Sequence, residues 1–332
     1  MGLSILFLAS WGNKPMKVAF VILSSIALLM LQPQGGVQPP LVDHHQHLYS
    51  VEITRSSRIE PLDAADLIAY LDAAGIRRAA VLSVAYQFGN PNRPVIENEY
   101  GQVRAENDWT SRQIARFPDR LRGLCGVNPL KDYALPELDR CAGDPFLHAG
   151  LKLHFGNSDV DLDNAEHVQL LRRVFRAAND RGMAIVVHMR PSVTKQRPYG
   201  RKQAQTFLDE LLPAAPDIPI QIAHLTGGGS YDEPSTDEAL SVFIEAITHG
   251  DSRMTHVYFD VSGIAGYGKW TDKADRIVER IRQIGVQRIV FGSDGARGGG
   301  LAPSDAWADF LKLPLSDAEK QAIARNVAPY MN

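Results

Sequence analysis

From residue 41 onward the chain alternates short apolar runs with amphipathic segments, and that alternation limits the fold more than any other feature. The apolar runs are Leu41 to Gln46, Arg78 to Ala85, Leu121 to Val127, Ala149 to His154, Met183 to His188, Ile218 to His224, His256 to Ser262 and Arg288 to Ser293. Stretches such as Ala184-Ile185-Val186-Val187 and Arg288-Ile289-Val290-Phe291 are apolar at nearly every position, as parallel strands buried on both faces must be. Between the runs, apolar residues return with a helical period: Leu67, Tyr70, Leu71 and Ala74; Leu171, Val174, Phe175 and Ala178; Leu240, Phe243, Ile244 and Ile247. Eight such units predict an α/β chain folded as a single-domain (β/α)8 barrel over residues 37–332. A doubly wound open sheet is the alternative. Near the end, Ser304 or Pro303 can open the segment before Trp307, and Ser316-Asp317-Ala318-Glu319 has the spacing of a capping box.

The first 36 residues do not fit this pattern. Lys14 and Lys17 precede an uncharged apolar run from Val18 to Leu31, which Gln32-Pro33-Gln34-Gly35-Gly36 then breaks. A basic start, an apolar core and a break make the shape of a secretory signal, and the run is short against the roughly 20 residues of a bilayer span. Residues 1–36 are therefore expected to be a signal peptide or an uncleaved N-terminal anchor. The barrel is then extracytoplasmic, periplasmic or secreted, and meets the membrane only through that segment. Met16-Lys17 offers a second start. The formal charge of −3 comes from scattered residues and gives no basic stripe for nucleic acid. The expected partner is a small-molecule substrate, with a homo-oligomer left open. Cys125 lies in an apolar strand-like run and Cys141 at the end of a helix-like one; they read as two buried thiols, although an exported chain could join them.

Chemistry gathers at the ends of the apolar runs. Residues two apart on a strand share a face, so His45 and His47 in Val42-Asp43-His44-His45-Gln46-His47 aim the same way. Two imidazoles make half of a zinc-like site, which needs further nitrogen or oxygen ligands. The fourth run ends in His154 with Lys152 on the same face, the fifth in His188, the sixth in His224, and the eighth continues to Asp294. These are the strand ends at which barrel enzymes build their sites. Together they point to a metal centre.

The set Asp43-x-His45-x-His47, Lys152, His188, His224 and Asp294 resembles the amidohydrolase superfamily, and within it the amidohydrolase-related branch that holds decarboxylases and lactonases. Supporting matches are Asn107-Asp108, Phe117-Pro118-Asp119-Arg120, Gly150-Leu151-Lys152-Leu153-His154 and Gly292-Ser293-Asp294, and the likeness runs over residues 41–330. It implies His45, His47, His188 and Asp294 as metal ligands, with His224 as a catalytic partner beside the metal. The chain departs from the family in Gly295-Ala296-Arg297, where a bulky residue and proline are common, and in Leu225-Thr226-Gly227-Gly228-Gly229. Both stretches belong to the pocket rim.

That ligand set suits one divalent ion, zinc first, with manganese, iron or cobalt also matching nitrogen and oxygen donors. Such an ion lowers the pKa of a water toward roughly 7. Asp294 can then take the proton, while His224 polarises a carbonyl or protonates a leaving group. The expected activity is hydrolysis of a small lactone, ester or amide. The alternative is a metal-dependent decarboxylase, and a metal-containing binding protein without turnover is a third reading. Lys152 is read three ways: a carbamylated bridge to a second metal, a cation for an anionic substrate, or a structural ion pair. His154, Arg190 and Tyr86 are candidate substrate contacts, Arg190 as a carboxylate clamp. The long connections Tyr86 to Glu97 and Arg190 to Gly200 follow strand ends, and Lys195, Arg197 and Tyr199 give the second of them a hand in substrate choice. Asp260 and Asn128 read as tethers of neighbouring loops, and Trp109, Trp270 and Trp307 as core packing.

Overall fold

The computed structural model describes residues 36–55, 59–229, 231, 234–264, 273–295 and 302–332. The signal or anchor reading of the N-terminus, Gly36 apart, and the packing of Trp270 concern residues outside that set. Eight parallel strands pair in chain order: β1 (Val42–Gln46), β2 (Arg78–Leu82), β3 (Leu121–Gly126), β4 (Gly150–His154), β5 (Ala184–His188), β6 (Ile220–Ile222), β7 (Val257–Asp260) and β8 (Ile289–Val290). The ring closes where His44 N donates to Phe291 O at 2.8 Å and Asp294 N to His45 O at 2.9 Å. This is the single-domain (β/α)8 barrel that the alternation predicts.

Strand alternation sorts the core into two layers. Ala79, Val81, Leu151, Leu153, Ile185, Val187 and Ile289 face outward and pack with the helices in the large apolar cluster. Val42, Ala80, Leu82, Leu124, Ala184, Val186 and Val290 form a separate cluster inside the barrel, and Ala328, Tyr330 and Met331 of the last turn complete it from below. Helix Ala165–Asp180 buries Leu171, Val174, Phe175 and Ala178, the residues its period selects. Helix Ala64–Ala74 opens on an Asp63/Asp66 capping box and ends at Gly75, whose φ of 69° is costly for other residues. The capping box at Ser316 and Glu319 forms as expected, and Pro303 starts its helix. Trp307 is buried and Trp109 packs half-buried on the core. Among the described residues no helix is long and apolar enough to cross a membrane.

The structure departs from the sequence reading at three places, two of them at the site. Strands β6 and β8 stop short of the apolar runs that contain them, and past their ends the backbone turns left-handed at His224, Leu225 and Thr226 (φ 55°, 44° and 74°) and at Asp294 (φ 51°). Each such residue costs on the order of 1–3 kcal/mol, and strain of this kind gathers at functional sites. Strand β1 is irregular: its pairing with β2 shifts register between Asp43 and Gln46. A bulge there re-aims the strand, so that His44 packs edge-on at 6.3 Å against Tyr330 below while His45 and His47 face the pocket above. The reading of two buried thiols is corrected: Cys125 and Cys141 are joined in a disulfide with their Cα atoms 6.1 Å apart. Helix Ala134–Ala142 lays Cys141 against β3, a contact between elements that neither local pattern encodes.

Candidate metal centre

The bulge in β1 and the left-handed turn at Asp294 converge on one group. Asp294 Oδ1 lies 3.6 Å from His45 Nε2 and 3.4 Å from His47 Nε2, with the imidazoles buried and the carboxylate 32% exposed. The far nitrogen of each ring is already committed: His45 Nδ1 donates to Asp260 Oδ2 at 3.0 Å, and His47 Nδ1 to the Leu82 carbonyl at 2.6 Å. Those bonds leave both Nε2 lone pairs facing Asp294. Metal-binding histidines are held in this way, one nitrogen to the ion and the other to a carboxylate or carbonyl, so the donor set fits a divalent cation. Beneath it Asp43 accepts from Ser293 N at 3.0 Å, Ser293 Oγ at 2.6 Å and Gln46 Nε2 at 2.8 Å, fixing the turn that presents Asp294. Gly292 makes room for that turn, since a Cβ there would fall 2.7 Å from His45 Cβ.

His224 stands beside this group, its ring 5.0 Å from that of His45 and 30° from parallel. Its Nδ1 meets the Ser262 carbonyl at 2.8 Å, which turns Nε2 toward the pocket. His188 is 5.0 Å from His224 on the other side and stacks on His154 at 3.9 Å. It therefore lines the same chamber but is not part of the compact group formed by His45, His47 and Asp294. Tyr86 is buried with its ring 5.3 Å from His154. Lys152, fully enclosed, brings Nζ to 3.0 Å from His45 Nε2.

Burial governs the charge states. It drives the pKa of His45 down to about 4, with the Lys152 ammonium adding to the effect, and holds His154 and His188 well below the usual histidine value. These imidazoles are neutral at pH 7, the form that binds metal. Burial also lowers Lys152 to about 8 and raises Tyr86 well above the usual tyrosine value. For Asp294 burial opposes ionisation, but the imidazoles of His45, His47 and His224 outweigh it and keep the carboxyl below the usual carboxylate range.

In the strand-five loop two of the cations are engaged by neighbouring carboxylates. Lys195 pairs with Asp159 at 2.6 Å, and Arg197 with Asp159 at 3.0 Å and Asp161 at 3.1 Å, so both cations are neutralised by the segment after β4. Tyr199 donates to the Thr226 carbonyl, and Arg190 lies 4.8 Å over its ring. Through Tyr199, Arg190 lies beside the β6 turn. Asn128 does tether loops, bonding Gly89 O at 2.7 Å.

Asp260 is more than a tether. Fully buried, it accepts from His45 Nδ1 and from Gln221 Nε2 at 2.6 Å on one oxygen, and from His224 N at 3.0 Å, Ser262 N at 3.1 Å and Ser262 Oγ on the other. The signal was present in the sequence, because Asp260 ends the apolar run Val257-Tyr258-Phe259 as the other site residues end theirs. Gln221, Ser262 and Ser293 carry no comparable signal; ordinary polar residues far apart in sequence become neighbours only when the barrel closes.

The chain belongs to the amidohydrolase family, whose model matches residues 42–328. Similar solved structures include 2,6-dihydroxybenzoate decarboxylase from Rhizobium, with a TM-score of 0.58 at 17% identity over 87% of this chain and 96% of that one. Dihydroxybenzoic acid decarboxylase from Polaromonas sp. JS666, with bound manganese and the inhibitor 2-nitroresorcinol, gives 0.59 at 17% over 87% and 95%. A probable 2-pyrone-4,6-dicarboxylic acid hydrolase from Acinetobacter baumannii, with citric acid bound, gives 0.55 at 18% over 86% and 96%. At such identities the likeness is one of fold. No curated protein matches the sequence.

Proposed function

We propose that this protein is an extracytoplasmic, metal-dependent hydrolase of a small carbonyl substrate that carries a carboxylate, a lactone first, then an ester or amide. The observation that carries the reading is the placement of Asp294 Oδ1 against His45 Nε2 and His47 Nε2 while about a third of its side chain stays exposed. One carboxylate can then serve the ion and a reacting water together. His45, His47 and Asp294 would hold the ion, with His188 closing in from β5. A divalent ion there, zinc or manganese, supplies Lewis acidity that acidifies water and polarises a carbonyl. Asp294 receives the proton as water attacks the carbonyl carbon. His224, its Nδ1 anchored on Ser262, delivers a proton from Nε2 to the departing oxygen or nitrogen. Lys152 offers an enclosed cation for the substrate carboxylate, and neutral His154 and Tyr86 form the wall beside it. Two observations support export: the apolar run Val18 to Leu31 behind Lys14 and Lys17, and the Cys125–Cys141 disulfide, which suits an oxidising compartment.

A second reading, decarboxylation, is favoured by the buried Lys152 ammonium, which can recognise the carboxylate that such a reaction loses; several similar barrels are named decarboxylases. Incubation of the metal-loaded protein with lactones, esters, amides and hydroxybenzoates in 18O-labelled water separates the two. Hydrolysis places 18O in the product acid, whereas carbon dioxide release with no labelled acid would replace the hydrolase reading by the lyase.

A further inference from the structure

A polar column runs down the inside of the barrel from the candidate metal centre to the last turn of the chain. Tyr330 enters from below, in the turn Pro329–Met331, with its ring edge-on to His44. Its hydroxyl donates to Gln221 Oε1. With that oxygen engaged, the amide points its nitrogen upward, and Gln221 Nε2 donates to Asp260 Oδ2 at 2.6 Å and approaches the His44 carbonyl at 3.3 Å. Asp260 Oδ2 in turn accepts from His45 Nδ1, and its Oδ1 from the backbone N of His224 and from Ser262. Gln221 and Asp260 have no exposure and Tyr330 only 8%, so solvent does not replace a lost partner.

We propose that Tyr330 is a positioning residue for the metal-binding imidazoles, acting through Gln221 and Asp260. An amide looks nearly the same after a flip, and its hydrogen-bond partners decide which end points where. Asp260 is a buried carboxylate that needs a donor from Gln221. The tyrosine hydroxyl, a donor aimed at the opposite end of the amide, selects the orientation that supplies one. Without it Gln221 Oε1 is an orphaned buried acceptor and the amide is free to turn its oxygen toward Asp260, which loosens the anchor of His45 Nδ1. Groups that orient a metal-bound histidine commonly alter affinity by about 10- to 100-fold. Tyr330 acts two hydrogen bonds further out than Asp260, through Gln221, and a single hydrogen bond is worth roughly a factor of 3 to 10.

The test is a double-mutant cycle read by metal affinity, which rests on the proposed metal site but not on turnover. Metal-stripped wild type, Tyr330→Phe, Gln221→Leu and the double variant are titrated with Zn2+ or Mn2+ against a chromophoric chelator, with Met331→Ala as a control that disturbs the same plug without touching the column. Tyr330→Phe is expected to weaken binding by about 3- to 10-fold and to have no further effect once Gln221 is leucine, while Met331→Ala lowers Tm without changing affinity. Unchanged affinity in Tyr330→Phe, or effects of Tyr330→Phe and Gln221→Leu that simply add, overturns the proposal. The imidazole 15N signals of His45 in the metal-free proteins give an independent arm: they should move in Tyr330→Phe and not in Met331→Ala. Should wild type bind no metal, the proposed function fails, and the His45 signals alone decide whether the column positions the ring.

Discussion

Glu106 gives a prediction whose size follows from the structure. It lies on helix Glu99–Ala115, 3% exposed, and accepts from Ser50 Oγ at 2.5 Å through Oε2, while Oε1 has no hydrogen-bond partner among the described residues. Ser50 caps the short turn that follows His47, so this carboxyl anchors the exit from β1. Burial is the main influence and raises its pKa from 4.5 to about 7. A carboxyl with a raised folded-state pKa stabilises the fold fully below its unfolded value and loses that contribution as pH climbs through the folded value. A rise of this size corresponds to about 3 kcal/mol, at about 1.4 kcal/mol per unit. Glu106→Gln keeps the shape of the neutral acid and cannot ionise. Urea unfolding of both proteins from pH 4 to 8 should therefore find wild type falling behind the variant by about 3 kcal/mol over the range, most steeply between about pH 5 and 7. A stability difference that stays constant with pH would refute the assignment of Glu106 as a buried neutral acid.

Other consequences follow from the same geometry. Replacing Cys125 and Cys141 by serine together should cost about 3 kcal/mol, given a loop of 16 residues, with the loss seen in nonreducing denaturant titrations and matched by adding reductant to wild type. His224→Asn should retain metal yet lower kcat by roughly 10² or more, because Nε2 is aimed at the chamber without belonging to the His45, His47 and Asp294 group. Metal content and kcat measured on one preparation decide this. Arg197→Ala should leave KM within about twofold of wild type, since its guanidinium is spent on Asp159 and Asp161, whereas Arg190→Ala should raise KM for an anionic substrate. Steady-state kinetics on paired charged and neutral substrates distinguishes the two.

The barrel was legible in the sequence because its cause is local: apolar runs such as Ala184 to Val187 and helical stripes such as Leu171 to Ala178 carry their periods openly. The residues around the candidate centre were legible for the same reason, as histidine and aspartate each ended an apolar run. What stayed hidden depends on closure. The tie from Asp43 to Ser293 spans 250 positions, that from Gln221 to Tyr330 spans 109, and the neutralisation of Lys195 and Arg197 by Asp159 comes from the neighbouring βα loop. The bulge that separates His44 from His45 is a property of β1 pairing and not of Asp-His-His-Gln as a string. The disulfide likewise needed the angle at which one helix lies on β3.

The most direct measurement is the metal-to-protein ratio of purified protein, by elemental analysis, for wild type, His45→Ala, Asp294→Asn and His224→Asn after equal exposure to zinc and manganese. Wild type and His224→Asn should each hold about one ion per chain tightly, and His45→Ala and Asp294→Asn little or none. Wild type that retains no ion, or His45→Ala that loads as fully as wild type, would contradict it.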